Sequence, residues 1–244
     1  MSDLPSDRFD LQRLVRDQLD LTLTADQGAA FERYRDLLLT WNAHTNLTAI
    51  TDPFGVTVRH FLDSLLLLRV VNPPDGARLI DVGTGAGFPG LPLAIVKPAI
   101  KVTLLEATGK KTAFLAEVVR ALGLPNVTIL TSRAEDAGQM VDQREHYDLV
   151  TARAVAQLSI LTEYLLPLCR VGGQCIALKG ESAAAEIDAA SPAIRLLGGK
   201  VARLEKVTLP HVADPHYLIV IDKIAPTPAL YPRRTGVPSK KPLT

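Results

Sequence analysis

The sequence is poor in the residues on which small secreted and metal-binding proteins depend. It holds 2 cysteines, 2 methionines and 1 tryptophan among 244 residues. The cysteines, Cys169 and Cys175, cannot build a disulfide framework or a four-ligand zinc site, and such sparse cysteine favours a reducing compartment. A chain of this length buries enough apolar surface to fold without either device. The sequence therefore predicts no metal site.

Long apolar runs are also lacking. The best candidate for a membrane span, 61–71, falls short of the roughly 18 residues that a span needs and contains Asp63 and Arg69. The first residues are acidic and lack the basic-then-apolar pattern of a secretion signal. Hydrophobic residues at 47% and charged residues at 22% are typical of a globular protein. We therefore expect a cytoplasmic monomer that has no membrane partner.

The net charge of +1 conceals an uneven distribution. Segment 1–76 is acidic and segment 77–223 is nearly neutral. The charged side chains after Lys223 are all basic: Arg233, Arg234, Lys240 and Lys241. The whole-protein charge does not indicate a polyanionic partner. The basic tail is nevertheless a candidate for a local phosphate-binding patch. A solvated tail is the alternative interpretation.

The pattern of the chain changes after residue 76. Three helices are predicted before it, at 8–20, 25–43 and 56–71, and Thr24 with Gln27 forms a capping box for the second. Strand-like runs follow at 78–82, 102–106, 127–130, 148–152, 174–178, 201–209 and 217–224, and helix-length segments at 91–96, 110–122, 134–141 and 156–169. This alternation predicts an α/β fold with a parallel sheet and a final antiparallel hairpin. We expect a helical section over 1–76, a catalytic domain over 77–225 and a basic tail over 226–244.

A glycine-rich loop follows the first predicted strand, with the sequence Asp81-Val-Gly-Thr-Gly-Ala-Gly-Phe-Pro-Gly. Glycines at such a turn let the backbone approach a ligand closely. The next strand ends in Glu106, where a carboxylate can accept hydrogen bonds from ribose hydroxyls. Together these features predict a nucleoside-containing cofactor, with a purely structural turn as the alternative.

Two features bear on which nucleoside is bound. A dinucleotide loop has glycine where Phe88 stands, and Phe88-Pro89 fits poorly with a pyrophosphate at the helix N-terminus. Asp81 would repel phosphates but suits the positively charged amino-acid end of S-adenosylmethionine. The loop, the ribose acid and the closing hairpin resemble class I S-adenosylmethionine-dependent methyltransferases. That resemblance implies a Rossmann-like, seven-stranded mixed sheet whose last strand is antiparallel.

Two kinds of methyltransferase lack support in the sequence. Amino-group enzymes of this class often carry Asn/Asp-Pro-Pro-aromatic after the fourth strand, where this chain has Thr151-Ala-Arg-Ala-Val. Pyrimidine C5 enzymes need a cysteine nucleophile, and Cys169 and Cys175 lie in apolar segments. The acceptor should therefore be an atom that is nucleophilic without covalent help.

Motifs from about Ala25 onward resemble the RsmG (GidB) family of small-subunit ribosomal RNA guanine-N7 methyltransferases. The matching segments are Trp41-Asn-Ala-His-Thr-Asn-Leu-Thr-Ala-Ile, His60-Phe-Leu-Asp-Ser-Leu, the glycine loop, Leu105-Glu-Ala-Thr-Gly-Lys-Lys, Ser132-Arg-Ala-Glu-Asp, Thr151-Ala-Arg-Ala-Val, Leu178-Lys-Gly and Tyr231-Pro-Arg-Arg-x-Gly-x-Pro-x-Lys-Lys-Pro. The resemblance implies methylation of a guanine in the decoding-region loop of 16S RNA. The implied partner is ribosomal RNA or the small ribosomal subunit.

The resemblance and the loop chemistry together give a set of site residues. Those expected at S-adenosylmethionine are Asp81, Gly83, Gly85, Phe88, Glu106, Ala107, Thr108, Ala134, Glu135 and Arg153. Those expected at RNA phosphates are Arg133, Lys179, Arg233, Arg234, Lys240 and Lys241. Arg153 and Lys179 are candidate clamps for donor or substrate, and an ion pair of Arg153 with Glu135 or Asp81 is the alternative. His60 and Asp63 share a helix face, which favours a structural bond to the sheet over RNA contact.

Guanine N7 carries a lone pair and no proton, so direct in-line transfer needs no general base. We therefore predict no catalytic residue, and expect the enzyme to act by alignment and desolvation. Two other functions stay open at this point. One is an NAD-type oxidoreductase that uses the same loop, and the other is a non-catalytic RNA-binding protein with a vestigial cofactor pocket.

Overall fold

A seven-stranded sheet forms the centre of the computed structural model, which describes residues 10–243. Its strands are β1 Arg78–Val82, β2 Lys101–Glu106, β3 Val127–Thr131, β4 Tyr147–Arg153, β5 Cys169–Lys179, β6 Gly199–Val207 and β7 His216–Lys223. The order is β3-β2-β1-β4-β5-β7-β6, and β7 runs antiparallel to both of its neighbours. The first five strands pair in parallel. The predicted fold class is confirmed.

Helices cover both faces of this sheet. They span Leu11–Leu19, Ala25–Thr45, Gly90–Val96, Gly109–Leu122, Ala134–Ala137, Leu158–Leu165, Ala183–Leu196 and Val237–Lys240. A further helical run, 53–69, changes its winding along its length, with a π-helical stretch over Val56–Leu62. The predicted capping box of Thr24 and Gln27 is present. Residues 8 and 9 of the first predicted helix lie outside the described residues.

The helix predictions differ from the structure in four places. The predicted helix 134–141 ends at Ala137, and the short helix Val237–Lys240 was not predicted. Ala183–Leu196 was not predicted, because it contains Pro192, and proline usually interrupts a helix. It nevertheless packs on Leu158–Leu165 and buries Ala190 and Ile194. The segment predicted as one helix over 156–169 is shorter, since the chain leaves the helix at Leu165 and Cys169 begins β5.

An aromatic cluster joins the N-terminal helices to the glycine loop. The Phe88 ring stacks on His60 at 4.5 Å and on Tyr34 at 5.4 Å between ring centroids. The Tyr34 hydroxyl donates to the carbonyl of Ala86, and Tyr34 is fully buried. Aromatic pairs stabilise a buried contact beyond the effect of the apolar area that they bury, so this cluster fixes the loop against the helices.

Within residues 10–243, no helix has both the length and the hydropathy needed to cross a membrane.

Candidate active site

A cavity of about 440 Å³ lies at the carboxyl ends of β1, β2 and β3. This is the edge at which open α/β sheets bind ligands, and the volume is that of a small-molecule site. Six of the predicted site residues line it: Gly83, Glu106, Ala107, Arg133, Ala134 and Glu135. The structure therefore brings the ends of three strands together around one space.

The glycine loop forms one wall through backbone conformations that other residues rarely adopt. Gly83 has φ +66°, and a Cβ there would lie 2.9 Å from the side chain of Val155, which also lines the cavity. Gly87 has φ +99°, and a Cβ there would lie 2.3 Å from Leu91. The amides of Gly83 and Thr84 both donate to the Leu105 carbonyl, at 2.9 and 3.1 Å. The motif thus turns tightly and leaves room beside β2.

Glu106 is held in one position at the cavity. It is 7% exposed, its Oε1 accepts the Thr108 amide at 2.8 Å, and its Oε2 accepts the Gly85 amide at 3.1 Å. Each carboxylate oxygen has a second lone pair, so both can still accept a hydroxyl proton. Gly85 and Thr108, which we predicted at the cofactor, position this carboxylate and are not among the residues that line the cavity.

Asp81 is fully buried behind the loop. Its Oδ2 accepts the Thr84 hydroxyl at 2.6 Å and the Gly90 amide at 2.8 Å. Its Oδ1 has no hydrogen-bond partner among residues 10–243. Burial raises the pKa of this carboxyl to about 6. An unpartnered buried carboxylate oxygen costs free energy unless a donor reaches it. Asp81 is not among the residues that line the cavity, so its contact with the ammonium group of the donor stays a prediction.

Phe88 and Arg153 lie outside this cavity. Phe88 is buried in the aromatic cluster, and the guanidinium carbon of Arg153 stands 4.9 Å from its ring centroid. Arg153 lines a second cavity, of about 410 Å³. Its guanidinium donates to Asp63 Oδ2 at 3.0 Å, so Asp63 takes the place of the ion-pair partners considered above, Glu135 and Asp81.

A chain of bonds connects this arginine to its neighbours. The Arg153 guanidinium contacts Nδ1 of His60 at 3.2 Å, and His60 Nε2 contacts the Thr48 hydroxyl at 2.8 Å. Because arginine only donates, His60 Nδ1 accepts and Nε2 carries the proton. Burial and the Arg153 charge lower the pKa of His60 to about 4. His216 contacts the second oxygen of Asp63 at 3.1 Å. His60 and Asp63 thus link the helical run 53–69 to the sheet.

The predicted phosphate-binding residues fall into two groups. Arg133, Arg234, Lys240 and Lys241 are exposed. Two others are engaged inside the protein. Lys179 pairs with Glu186 at 2.7 Å, and Arg233 pairs with the fully buried Glu163 at 2.6 Å.

The tail supplies cavity residues that sequence reasoning missed. Thr235, Gly236 and Ser239 line the first cavity. The Gly236 amide donates to Glu135 Oε1 at 2.9 Å, and the Thr235 hydroxyl donates to Asp136 Oδ1 at 3.0 Å. The signal in the sequence was the glycine itself, and in the structure Gly236 adopts φ +81°.

The sheet order, the glycine loop and the fixed Glu106 carboxylate are those of a class I S-adenosylmethionine-dependent methyltransferase. A solved S-adenosylmethionine-dependent methyltransferase from Aquifex aeolicus shares this fold, with a TM-score of 0.50 and 18% identity over 70% of this chain and 93% of that one. The chain belongs to the GidB family, described as rRNA small subunit methyltransferase G, whose model matches residues 27–213. The family predicted from the motifs is confirmed.

Curated relatives extend the match over most of the sequence. The ribosomal RNA small subunit methyltransferase G of Roseiflexus sp. (strain RS-1) is 51% identical over 91% of this chain and 94% of its own length. That of Desulforamulus reducens is 45% identical over 93% and 94%. Neither an NAD-type oxidoreductase nor a non-catalytic RNA-binding protein is supported. Among residues 10–243, no cluster of three or more His, Cys, Asp or Glu side chains could hold a metal ion.

Proposed function

We propose that this methyltransferase transfers a methyl group from S-adenosylmethionine to N7 of a guanine in the decoding-region loop of 16S ribosomal RNA. The observation that carries the donor assignment is Glu106, nearly buried and fixed by two backbone amides at the carboxyl end of β2. Membership of the family supports the ribosomal RNA substrate. The guanine and its N7 atom rest on the motif resemblance and on the chemistry below.

The residues at the first cavity divide the work of holding the donor. When bound, S-adenosylmethionine supplies an electrophilic methyl group on a positively charged sulfur. On this proposal Glu106 accepts the ribose hydroxyls. Asp81 supports the loop from behind, where its carboxylate accepts the Thr84 hydroxyl and the Gly90 amide. The backbone at Ala134 and Glu135 is suited to the adenine edge. The apolar side chains of Val155 and Ile160 exclude water.

No residue needs to take a proton, because N7 has none to lose. The ionisable groups near the second cavity support this mechanism. His60, with a pKa of about 4, is neutral near pH 7, but Arg153 and Thr48 already occupy its two nitrogens. Asp63 is bound by Arg153 and His216. The chain contributes position and a dry environment, which lower the barrier without acid–base catalysis.

The acceptor in the cell, on this proposal, is the small ribosomal subunit or its RNA, and the enzyme works as a cytoplasmic monomer. The test uses small subunits from cells whose copy of this gene is deleted. Purified protein and labelled donor are added, and N7-methylguanine is mapped by reductive chain cleavage. We expect one new cleavage in the decoding-region loop, absent without protein. Label in the RNA with no such cleavage would refute the N7 assignment but not the methyltransferase activity.

A further inference from the structure

The second cavity flanks the same short segment as the first. Residues 153 and 154 line the second cavity, and residues 155 and 156 line the first. Ala154 has φ +55°, a left-handed conformation that is uncommon for alanine. Backbone strain of this kind persists where surrounding contacts enforce it, and it is concentrated at functional sites. The segment 153–156 therefore separates the donor cavity from a neighbouring space of similar size.

An internal ion pair holds this segment. The Lys179 ammonium group donates to the Ala156 carbonyl and to Glu186 Oε2, the latter at 2.7 Å. The same Glu186 oxygen accepts the Leu158 amide at 2.7 Å. Lys179 lies at the second cavity, but its charge is matched by Glu186. Its contacts make it an anchor for the segment more than a free phosphate ligand.

Arg59 differs from the other cations of the second cavity. Arg153 is paired with Asp63, and Lys179 with Glu186. Arg59 lines the cavity and is exposed, and within the described part of the chain no carboxylate or hydrogen bond holds its guanidinium. Its backbone carbonyl accepts from Arg153 at 2.9 Å, so its main chain is fixed while its side chain remains available.

We propose that the second cavity receives the acceptor nucleotide of the RNA and that Arg59 binds a phosphate of that strand. This inference rests on the proposed function. A free guanidinium is suited to bidentate phosphate contact. A nucleotide seated there would lie against segment 153–156, whose residues 155 and 156 line the donor cavity. Arg153 and Asp63 then shape the cavity, and Arg59 supplies the uncompensated charge.

The test compares Arg59→Gln with Arg69→Gln. Arg69 is a matched control, because it is an exposed arginine on the same helical run and lines neither cavity. Both variants should fold, since neither side chain is buried. One lost phosphate contact reduces the salt slope of RNA binding by about 1, and the affinity at 0.1 M salt by about 5- to 8-fold. At 0.1 M salt we expect Arg59→Gln to raise KM for the small subunit by that factor and to leave kcat unchanged. The KM values of Arg59→Gln and wild type should converge near 1 M salt.

Other outcomes count against the inference in different ways. If Arg59→Gln and Arg69→Gln had the same KM and salt slope, the inference about Arg59 would be overturned. Methylation by the wild-type enzyme would still support the proposed function. Weaker binding of S-adenosylmethionine by Arg59→Gln, measured calorimetrically without RNA, would also overturn it by assigning Arg59 to the donor carboxylate. If the wild-type protein itself did not methylate the RNA, the proposed function would be refuted instead.

Discussion

Replacing Glu106 by glutamine should weaken donor binding more than any stability loss can explain. The substitution keeps the shape of the side chain but removes the negative charge that Gly85 and Thr108 now orient. A hydrogen bond to a charged acceptor contributes about 1.5–3 kcal/mol. The expected loss is therefore about 10- to 150-fold in Kd for S-adenosylmethionine. Calorimetric titration of the purified variant measures it.

The matched control is Glu117→Gln. Glu117 belongs to Gly109–Leu122, and its carboxylate pairs with Arg120 on that helix surface. This variant should bind the donor like the wild type. The urea midpoint of Glu106→Gln should correspond to a loss of about 1–3 kcal/mol, because the glutamine oxygen can accept only one of the two backbone amides and the other amide then faces the NH2 group. That loss leaves the variant folded for titration.

A double cycle with a deoxy ligand makes the test specific for the ribose. Wild type and Glu106→Gln are each titrated with S-adenosylhomocysteine and with its 2′-deoxyribose analogue. If Glu106 binds that hydroxyl, removing either partner should make the second removal nearly without effect. Fully additive losses, or an unchanged Kd in Glu106→Gln, would refute the placement of the ribose.

Three further predictions concern the stability of the site. Gly87→Ala should cost about 2–4 kcal/mol in urea unfolding, because the Cβ overlaps its neighbours and φ is positive, whereas Gly123→Ala, with the same sign of φ but open space around it, should cost about 1 kcal/mol. Equal losses would contradict the packing argument. Arg233→Met leaves the buried Glu163 carboxylate without its partner and should cost about 3–5 kcal/mol, with weaker donor binding as the tail detaches. Adding Glu163→Leu should restore most of the stability, and no recovery would count against the explanation. Burial raises the pKa of Asp81 to about 6, so the folded protein keeps a proton there that the unfolded chain loses near pH 4. The stability that the protonated carboxyl contributes is therefore fully present below about pH 4 and is lost as the pH rises through 6. Asp81→Asn should therefore gain stability relative to wild type between pH 4 and 7, by up to about 3 kcal/mol. A stability difference that stays constant with pH would refute this.

The sheet and the donor cavity were predictable from the sequence because their signals are local. Each strand appears as a short apolar run, and the carboxyl ends of parallel strands necessarily meet at one edge. That reasoning predicts Gly83 and Glu106 at one site, and the family resemblance adds Glu135. The helix Ala183–Leu196 was missed for the converse reason. Its internal proline contradicts local propensity, and packing against Leu158–Leu165 overrides it.

The contribution of the tail could not be predicted from local patterns. Charge alone suggested that Arg233 and Arg234 were equivalent. In the structure Arg233 forms an ion pair with Glu163, which lies 70 positions earlier in the chain, whereas Arg234 is exposed. Sequence pattern carries no information about such a distant partner. Thr235 and Gly236 follow Arg233 in the chain and are bound by Asp136 and Glu135, which are also distant in sequence.

The glycine loop has two faces, and the sequence motif revealed one of them. Gly83 lines the proposed donor cavity, and Gly85 holds Glu106 there through its amide. Phe88 serves the opposite side, where its ring packs between Tyr34 and His60 and beneath the Arg153 guanidinium. In the sequence, Phe88 was evidence against a bound pyrophosphate. Its stacking could not be predicted, because Tyr34 and His60 lie on helices that are distant in the chain. His60 also bonds Arg153, and both residues line the second cavity. The loop therefore contributes to both cavities, because Gly83 lines the first and Phe88 stacks on His60 beside the second.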